Sequence, residues 1–533
     1  MIDRIFIQNF KIFQSFDLGL NDGLNILVGD NEVGKSTVLE AINLALTRRL
    51  NGRQIDLEMT PYLFNREVAG EYVASLKTKT PKEPPPIRIE LYLQDTPEFQ
   101  QFRGSMNSKR EDCPGLKLEI LFDDDYSAEY AALLKEPNVK LVPAEYYRAH
   151  WQSFANNAVT QRSLPVALSY IDTTTIRLQS GADYYVQDLI RSNLTPKERV
   201  GLSMSYRKLK ETFSGEPGIS EINRKLTSHQ GAITDKGLSI SIDISQKANW
   251  ETNLVPHLDD LPFHQVGKGE QNALKVMLAL DRKADDSSII LIEEPENHLS
   301  FSSMNVLVRK IRDKCGKKQV IITTHSGFVL NKLGLESLIL LANSNGATTS
   351  TLSKLSEDTQ NYFKKLSGYD TLRLVLAKKA ILVEGPSDEL IVQKAFLTHH
   401  GSLPIEQGVD VISVRGLSFR RFIEIAMLLA KDLVVVTDND GDFAHKVEER
   451  YSKFKDMKNI RICASQDNAL PTLEPQIAAC NDLAHLNKIL ETEFENTADL
   501  VGHMVANKTE CALKLFETKE ALTFPSYILD AIK

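Results

Sequence analysis

The sequence predicts an α/β protein: a nucleotide-binding α/β unit interrupted by a helical insert and followed by a smaller α/β unit. Three observations carry this. A phosphate-loop pattern sits between an apolar strand and a helix, a second apolar strand ends in paired acids at 293–294, and strands alternate with helices again from about residue 376. At 533 residues with 42% hydrophobic and 25% charged content the chain has the composition of folded globular protein and the length of about three domains.

The N-terminus, MIDRIFIQNFKIF, alternates polar and apolar residues and reads as a strand, where a signal peptide would carry an unbroken apolar stretch. LNILV is a second strand, and Gly29-Asp30-Asn31-Glu32-Val33-Gly34-Lys35-Ser36 follows it, leading into the helix-forming TVLEAINLAL. In such a loop glycines turn backbone N–H groups toward phosphates, the helix N-terminus adds its dipole, Lys35 neutralises the outer phosphates and Ser36 reaches Mg²⁺. Asn31, Gly34, Lys35, Ser36 and Thr37 are therefore candidate ATP contacts. Leu50-Asn51-Gly52 is a turn, Lys77–Pro86 with its four prolines is a surface loop, and Ile87–Gln94 is an alternating strand.

From 151 to 235 the pattern predicts a helical insert, with Thr195-Pro196-Lys197-Glu198 as a capped helix start. Leu238, Ile240, Ile242 and Ile244 predict a half-buried strand, and the runs at 288–292 and 319–323 predict buried parallel strands. The first of these runs into Glu293 and Glu294, placed to hold Mg²⁺ and to polarise an attacking water, respectively; the second into Thr324-His325-Ser326, where His325 is a candidate γ-phosphate sensor. A polar stretch near 343–360 separates the units.

The last unit carries two acidic motifs. Glu384-Gly385-Pro386-Ser387-Asp388 follows one buried strand and Asp438-Asn439-Asp440-Gly441-Asp442 another. Carboxylates so crowded repel one another unless divalent cations lie between them, and all-oxygen ligands favour Mg²⁺ or Mn²⁺ over zinc. Glu384, Asp388, Asp438, Asp440 and Asp442 are candidate metal ligands. Two such metals activate water for phosphodiester cleavage.

Composition limits the partners. There are 63 Lys+Arg against 71 Asp+Glu, a net charge of −8, so no global positive field draws the chain to nucleic acid, and DNA must be met by a local basic groove to which Arg415, Arg420 and Arg421 are candidate contributors. Five dispersed cysteines without a C-x-x-C pair suggest reduced thiols, and no run is apolar enough to span a membrane, so a cytoplasmic location without membrane contact is expected.

NFKIF, GDNEVGKST, VGKGEQ, LIEEPENHLS and TTHS together resemble the ATP-binding-cassette (ABC) head of the SMC, Rad50 and RecF type, while E-G-x-S-D with T-D-x-D-G-D resembles the Toprim domain. Their fusion is the arrangement of the OLD (overcoming lysogenization defect) nucleases, which include Gabija nuclease subunits and some retron effectors. The resemblance implies an ABC ATPase over 1–150 and 236–370, a dimerisation insert over 151–235 and a Toprim nuclease domain over 371–533. It also implies Glu384, Asp438 and Asp440 as catalytic, Lys508 as a stabiliser of charge on the phosphate, Glu294 as the ATPase glutamate, and Glu474 as a further metal ligand, with Glu510 less firmly placed. The expected activity is ATP-regulated, Mg²⁺- or Mn²⁺-dependent DNA cleavage in anti-phage defence by a homodimer or higher even-numbered oligomer, with a helicase, or a reverse transcriptase and its noncoding nucleic acid, as the defence partner. The alternative is a DNA repair clamp with a non-cleaving Toprim site. The loop Val266–Gln271 departs from the family by carrying Gly267 where the signature serine stands.

Overall fold

The alternating N-terminus folds as expected. In a computed structural model of the chain, β1 (Ile2–Phe10) buries Ile2, Ile5, Ile7 and Phe10 and pairs antiparallel with β2 (Phe13–Gly19). Residues 1–78, 80–134, 139–160, 163–172, 178–179, 182–183, 194–227, 240, 250, 257–281, 287–314, 318–343, 347–368, 370–416 and 419–533 are described. They form two compact units, Met1–Pro165 with Ile321–Lys533, and Val166–Val320.

The first unit begins with β1 and β2, then β3 (Leu24–Val28) and α1 (Lys35–Thr47), whose face of Val38, Leu39, Ile42 and Ala45 is buried. Strands β4 (Ile87–Leu93), β5 (Cys113–Phe122) and β6 (Tyr147–Ser153) extend the antiparallel sheet in the order β2–β1–β4–β5–β6. Trp151 on β6 donates its indole N–H to the Ala45 carbonyl of α1 at 2.7 Å, which fixes that helix on the sheet.

The second unit holds a parallel pair, β7 (Val166–Asp172) with a later strand, and the helices α2 (Pro196–Ser214), α3 (Pro217–Thr227) and α4 (Lys268–Asp281). The partner of β7 is β8 (Ser287–Glu293), and α5 (Phe301–Lys314) follows. The predicted capping box opens α2: Thr195 Oγ1 accepts from the Glu198 N–H while Glu198 Oε2 accepts from the Thr195 N–H. The expectation of a helical insert from 151 needs correction in its first part, where Val166–Asp172 is a strand. Its apolar and β-branched residues suit a parallel ladder, and long-range pairing decides the conformation of so short a run. The strand expected at Leu238–Ile244 lies outside the described residues apart from Ile240, which is exposed.

The first unit resumes at Ile321, within β9 (Gln319–Thr323), and continues into α6 (Gly327–Leu333), whose N-cap Ser326 accepts from the Val329 N–H. The hairpin β10 (Leu338–Asn343) and β11 (Ala347–Thr351) completes the order β9–β3–β10–β11. Helices α7 (Glu357–Lys365) and α8 (Thr371–Leu376) lead into the C-terminal sheet. Buried Thr371 donates to Asn331 Oδ1 of α6, and Glu424, further along the chain, accepts from the Ser356 and Thr359 hydroxyls at the start of α7.

The C-terminal sheet is four-stranded and parallel. Along the chain run β12 (Lys379–Val383), α9 (Pro386–His400), β13 (Val409–Ser413), α10 (Phe419–Leu428), β14 (Asp432–Val436) and β15 (Ile460–Cys463). The spatial order is β13–β12–β14–β15, so the winding reverses between β12 and β14. Helices α11 (Leu473–Cys480), α12 (Leu483–Leu490), α13 (Thr497–Ala506), α14 (Lys508–Glu517) and α15 (Ser526–Ala531) close the core around Ile381, Val383, Leu486, Leu500 and Leu515. Among the described residues no helix is long and apolar enough to cross a membrane.

Candidate active sites

In an open parallel sheet the crevice at a winding reversal, beyond the strand carboxyl ends, collects ligand-binding groups. Here it collects acids. Glu384 leaves the end of β12, and its Oε1 accepts from the Thr437 hydroxyl at 2.6 Å and the Asp438 N–H at 3.0 Å beyond the end of β14. Asp388 in the first turn of α9 accepts from the Gly385 N–H at 3.0 Å, and Glu474 on α11 accepts from the Thr472 hydroxyl at 2.8 Å and lies 3.3 Å from Lys508 Nζ. Burial, then the negative charges of Asp388, Glu384 and Glu474, push the Asp438 carboxyl up to about 8; burial and Glu384 push Asp388 up to about 6.

Of the residues predicted from sequence, Glu384, Asp388, Asp438, Glu474 and Lys508 come together. Asp440 and Asp442 do not join them. Asp440, with φ of 48°, faces Lys446 at 3.6 Å, and Asp442 accepts from the His445 N–H. The intervening Asn439 explains the split: fully buried, it donates to the Ser465 and Asp467 carbonyls and accepts from Gly441, which anchors the loop and sends its flanking acids different ways. Glu510 is exposed on α14. The Arg421 guanidinium pairs with Asp358 at 2.8 Å and stacks on Tyr362.

Sequence reasoning missed Thr437, whose hydroxyl holds Glu384, and Tyr527 on α15. Tyr527 is buried, and desolvation, then the charges of Asp438, Asp388, Glu384 and Glu474, raise its phenol well above the ordinary range. Thr437 opens the T-D-x-D-G-D motif, so only its role went unassigned; a tyrosine nearly ninety residues downstream carries no local signal. Among the described residues no three His, Cys, Asp or Glu side chains stand in finished ligating geometry. The donor set is nonetheless that of a hard divalent cation: buried and half-buried carboxylate oxygens whose mutual repulsion the Lys508 ammonium, 3.3 Å from Glu474, offsets only in part.

The phosphate loop in the first unit has the expected form. Gly34 adopts φ of 100° as the cap of α1, where a Cβ would meet the Phe13 ring at 2.5 Å, so both conformation and space require glycine. Lys35 Nζ donates to the Gly29 and Asp30 carbonyls at 2.8 Å each, Ser36 and Thr37 occupy the first helical turn, and Asn31 is exposed on the loop. His325 stands exposed between β9 and the cap of α6.

In the second unit, Glu293 is buried at the end of β8 and accepts from the Tyr170 hydroxyl at 3.1 Å. Glu294, with φ of 44°, accepts from the Asn297 amide at 2.7 Å. Val266–Gln271 opens α4, with the Gln271 amide folded back on the Val266 carbonyl at 2.7 Å, and a Cβ on Gly269 would lie 2.0 Å from the His298 carbonyl.

Comparison with known proteins agrees with these elements. Residues 375–440 match the family model for the overcoming lysogenization defect protein-like TOPRIM domain, 4–134 match an AAA domain, and 180–331 match an AAA domain of the AbiEii, type IV toxin–antitoxin class. The chain is 23% identical to the OLD nuclease of Thermus scotoductus over 515 residues, spanning 89% of this chain and 91% of that one. It is an OLD homologue. Endonuclease GajA of Bacillus cereus is 21% identical over 82% of this chain and 74% of its own. An SMC head, solved bound to the C-terminal winged-helix domain of ScpA, aligns at 14% identity over 66% of this chain and 98% of its own, with a TM-score of 0.35. The OLD homologue thus joins AAA-type ATPase regions to a C-terminal Toprim domain, an organisation that implies use of a nucleotide and a divalent metal.

Proposed function

We propose that this OLD homologue is an ATP-regulated, divalent-metal-dependent DNA endonuclease acting in anti-phage defence. The observation that carries the reading is the convergence of Glu384, Asp388, Asp438 and Glu474, with Lys508, at the winding reversal of the parallel sheet. In it, Glu384, Asp388, Asp438 and Glu474 hold Mg²⁺ or Mn²⁺, which supplies Lewis acidity and water of lowered pKa. Asp440 and Asp442 are added once Asp440 leaves Lys446 and Asp442 releases the His445 N–H. Thr437 orients the Glu384 carboxylate, and Lys508 turns from Glu474 to the charge that grows on the scissile phosphate.

The ATPase region regulates. Gly34, Lys35, Ser36, Thr37 and Asn31 cradle the triphosphate, Glu293 and Ser36 serve its Mg²⁺, Glu294 orients water and His325 senses the γ-phosphate. Supporting this are the loop geometry and the burial of Glu293. An even-numbered homo-oligomer follows if the loop at Val266–Gln271 of one copy meets ATP on another.

The test is cleavage of plasmid DNA by purified protein with Mg²⁺ or Mn²⁺, beside Glu384→Ala and Lys508→Ala. Wild-type cutting abolished in both variants is expected; equal cutting, or none by any of the three, overturns the nuclease assignment. Lys35→Ala separates the functions: cutting persists while its response to ATP disappears.

A further inference from the structure

Glu293 stands where phosphate-loop ATPases usually carry aspartate, and its extra methylene adds a rotatable bond between strand and carboxylate. A longer side chain samples more positions, and ordering it opposes binding unless something already holds it. The parallel register of β7 and β8 supplies that restraint. Asp172 stands opposite Glu293 and Tyr170 opposite Leu291, so Tyr170 and Glu293 project from one face as diagonal neighbours, a spacing that a phenol can bridge. The Tyr170 hydroxyl donates to Glu293 Oε2 at 3.1 Å, and Glu293 is only 8% exposed.

We infer that Tyr170 is a positioning residue of the nucleotide site: its O–H···O bond to Oε2 holds the Glu293 carboxylate on the sheet face in one orientation, the one in which it would serve nucleotide-bound Mg²⁺. The inference rests on the reading of Glu293 as the acid that serves this ion. Hydrogen bonds from a neighbouring group to a ligating carboxylate are a general means of fixing a metal's ligand, and their loss weakens metal binding by about 10- to 100-fold. Phenylalanine at 170 would fill the same volume in β7 and lack only the donor.

The experiment is titration of the full chain with a fluorescent ATP analogue, in excess Mg²⁺ and separately in EDTA. Tyr170→Phe is expected to weaken the Mg²⁺ complex by about 10- to 100-fold while leaving the metal-free affinity unchanged. Equal losses in both conditions make Tyr170 a merely structural residue and overturn the inference, as does no loss in either. A double-mutant cycle with Glu293→Gln covers the case in which Tyr170→Phe lowers overall stability. The two Mg²⁺-dependent losses should be markedly non-additive, and simple additivity refutes the coupling. Wild-type protein whose nucleotide affinity ignores Mg²⁺ overturns the reading of Glu293 itself, an outcome visible before any variant is made.

Discussion

Stripping the Toprim site of metal and raising the pH should expose how its charge is balanced. With Asp438 near 8 and Asp388 near 6, metal-free protein at neutral pH keeps about one proton on the cluster, mostly on Asp438. A divalent cation needs the ionised forms, so Mn²⁺ binding near pH 7 should release about one proton, and the association constant should rise about tenfold per pH unit between about pH 6.5 and 7.5, levelling above about pH 8. Isothermal titration in two buffers of different ionisation enthalpy reads the proton directly. The stability of the metal-free protein moves the other way. Both carboxyls have folded pKa values above the ordinary 3.8, so the folded state binds more protons than the unfolded one, and stability falls as pH rises from about 4 to about 8. Asp438→Asn should flatten most of that fall. Mn²⁺ affinity independent of pH, with no buffer-dependent heat, would refute the claim that the four acids form one electrostatic unit.

Other expectations are local. Thr437→Val removes the hydroxyl donor to Glu384 and should slow cleavage by about tenfold with little change in melting temperature; the rate at saturating Mn²⁺ checks it. Lys508→Ala should reduce the cleavage rate constant by about 10²- to 10³-fold, measured under single turnover. Gly269→Ala, whose Cβ would meet the His298 carbonyl at 2.0 Å, should destabilise by about 1–3 kcal/mol, whereas Gly267→Ala, with nothing within 4 Å, should be nearly silent in the same thermal melts. Thr371→Val removes the hydroxyl donor to the buried Asn331 side chain and should cost about 1–3 kcal/mol in denaturant unfolding, with Thr371→Ser close to wild type.

Much of this architecture was legible because it is written in local patterns. The phosphate loop, the Thr195 capping box and the strands that lead to Glu293, Glu384 and Asp438 each combine a periodicity with a boundary signal, and each lies where the sequence places it. What escaped depends on partners distant in the chain. Val166–Asp172 is a strand because β8, more than a hundred residues later, runs beside it. The acids of 438–442 are alike in sequence but part in space, because buried Asn439 is tied to carbonyls at 465 and 467. Tyr527 reaches the carboxylates only through the packing of α15.

The seam between α6 and α8 bears on whether the Toprim part can live alone. The hydrogen bond from Thr371 to Asn331 crosses the boundary at which the sequence divides ATPase from nuclease, and the bonds of Glu424 to Ser356 and Thr359 cross it again. A fragment starting at 371 would forfeit these partners and bare the face of α8 that includes Leu374 and Val375. The Toprim part and the segment before it are thus joined by shared interior rather than by a tether, and an excised C-terminal fragment should precipitate or unfold where a linker-joined domain would stay intact.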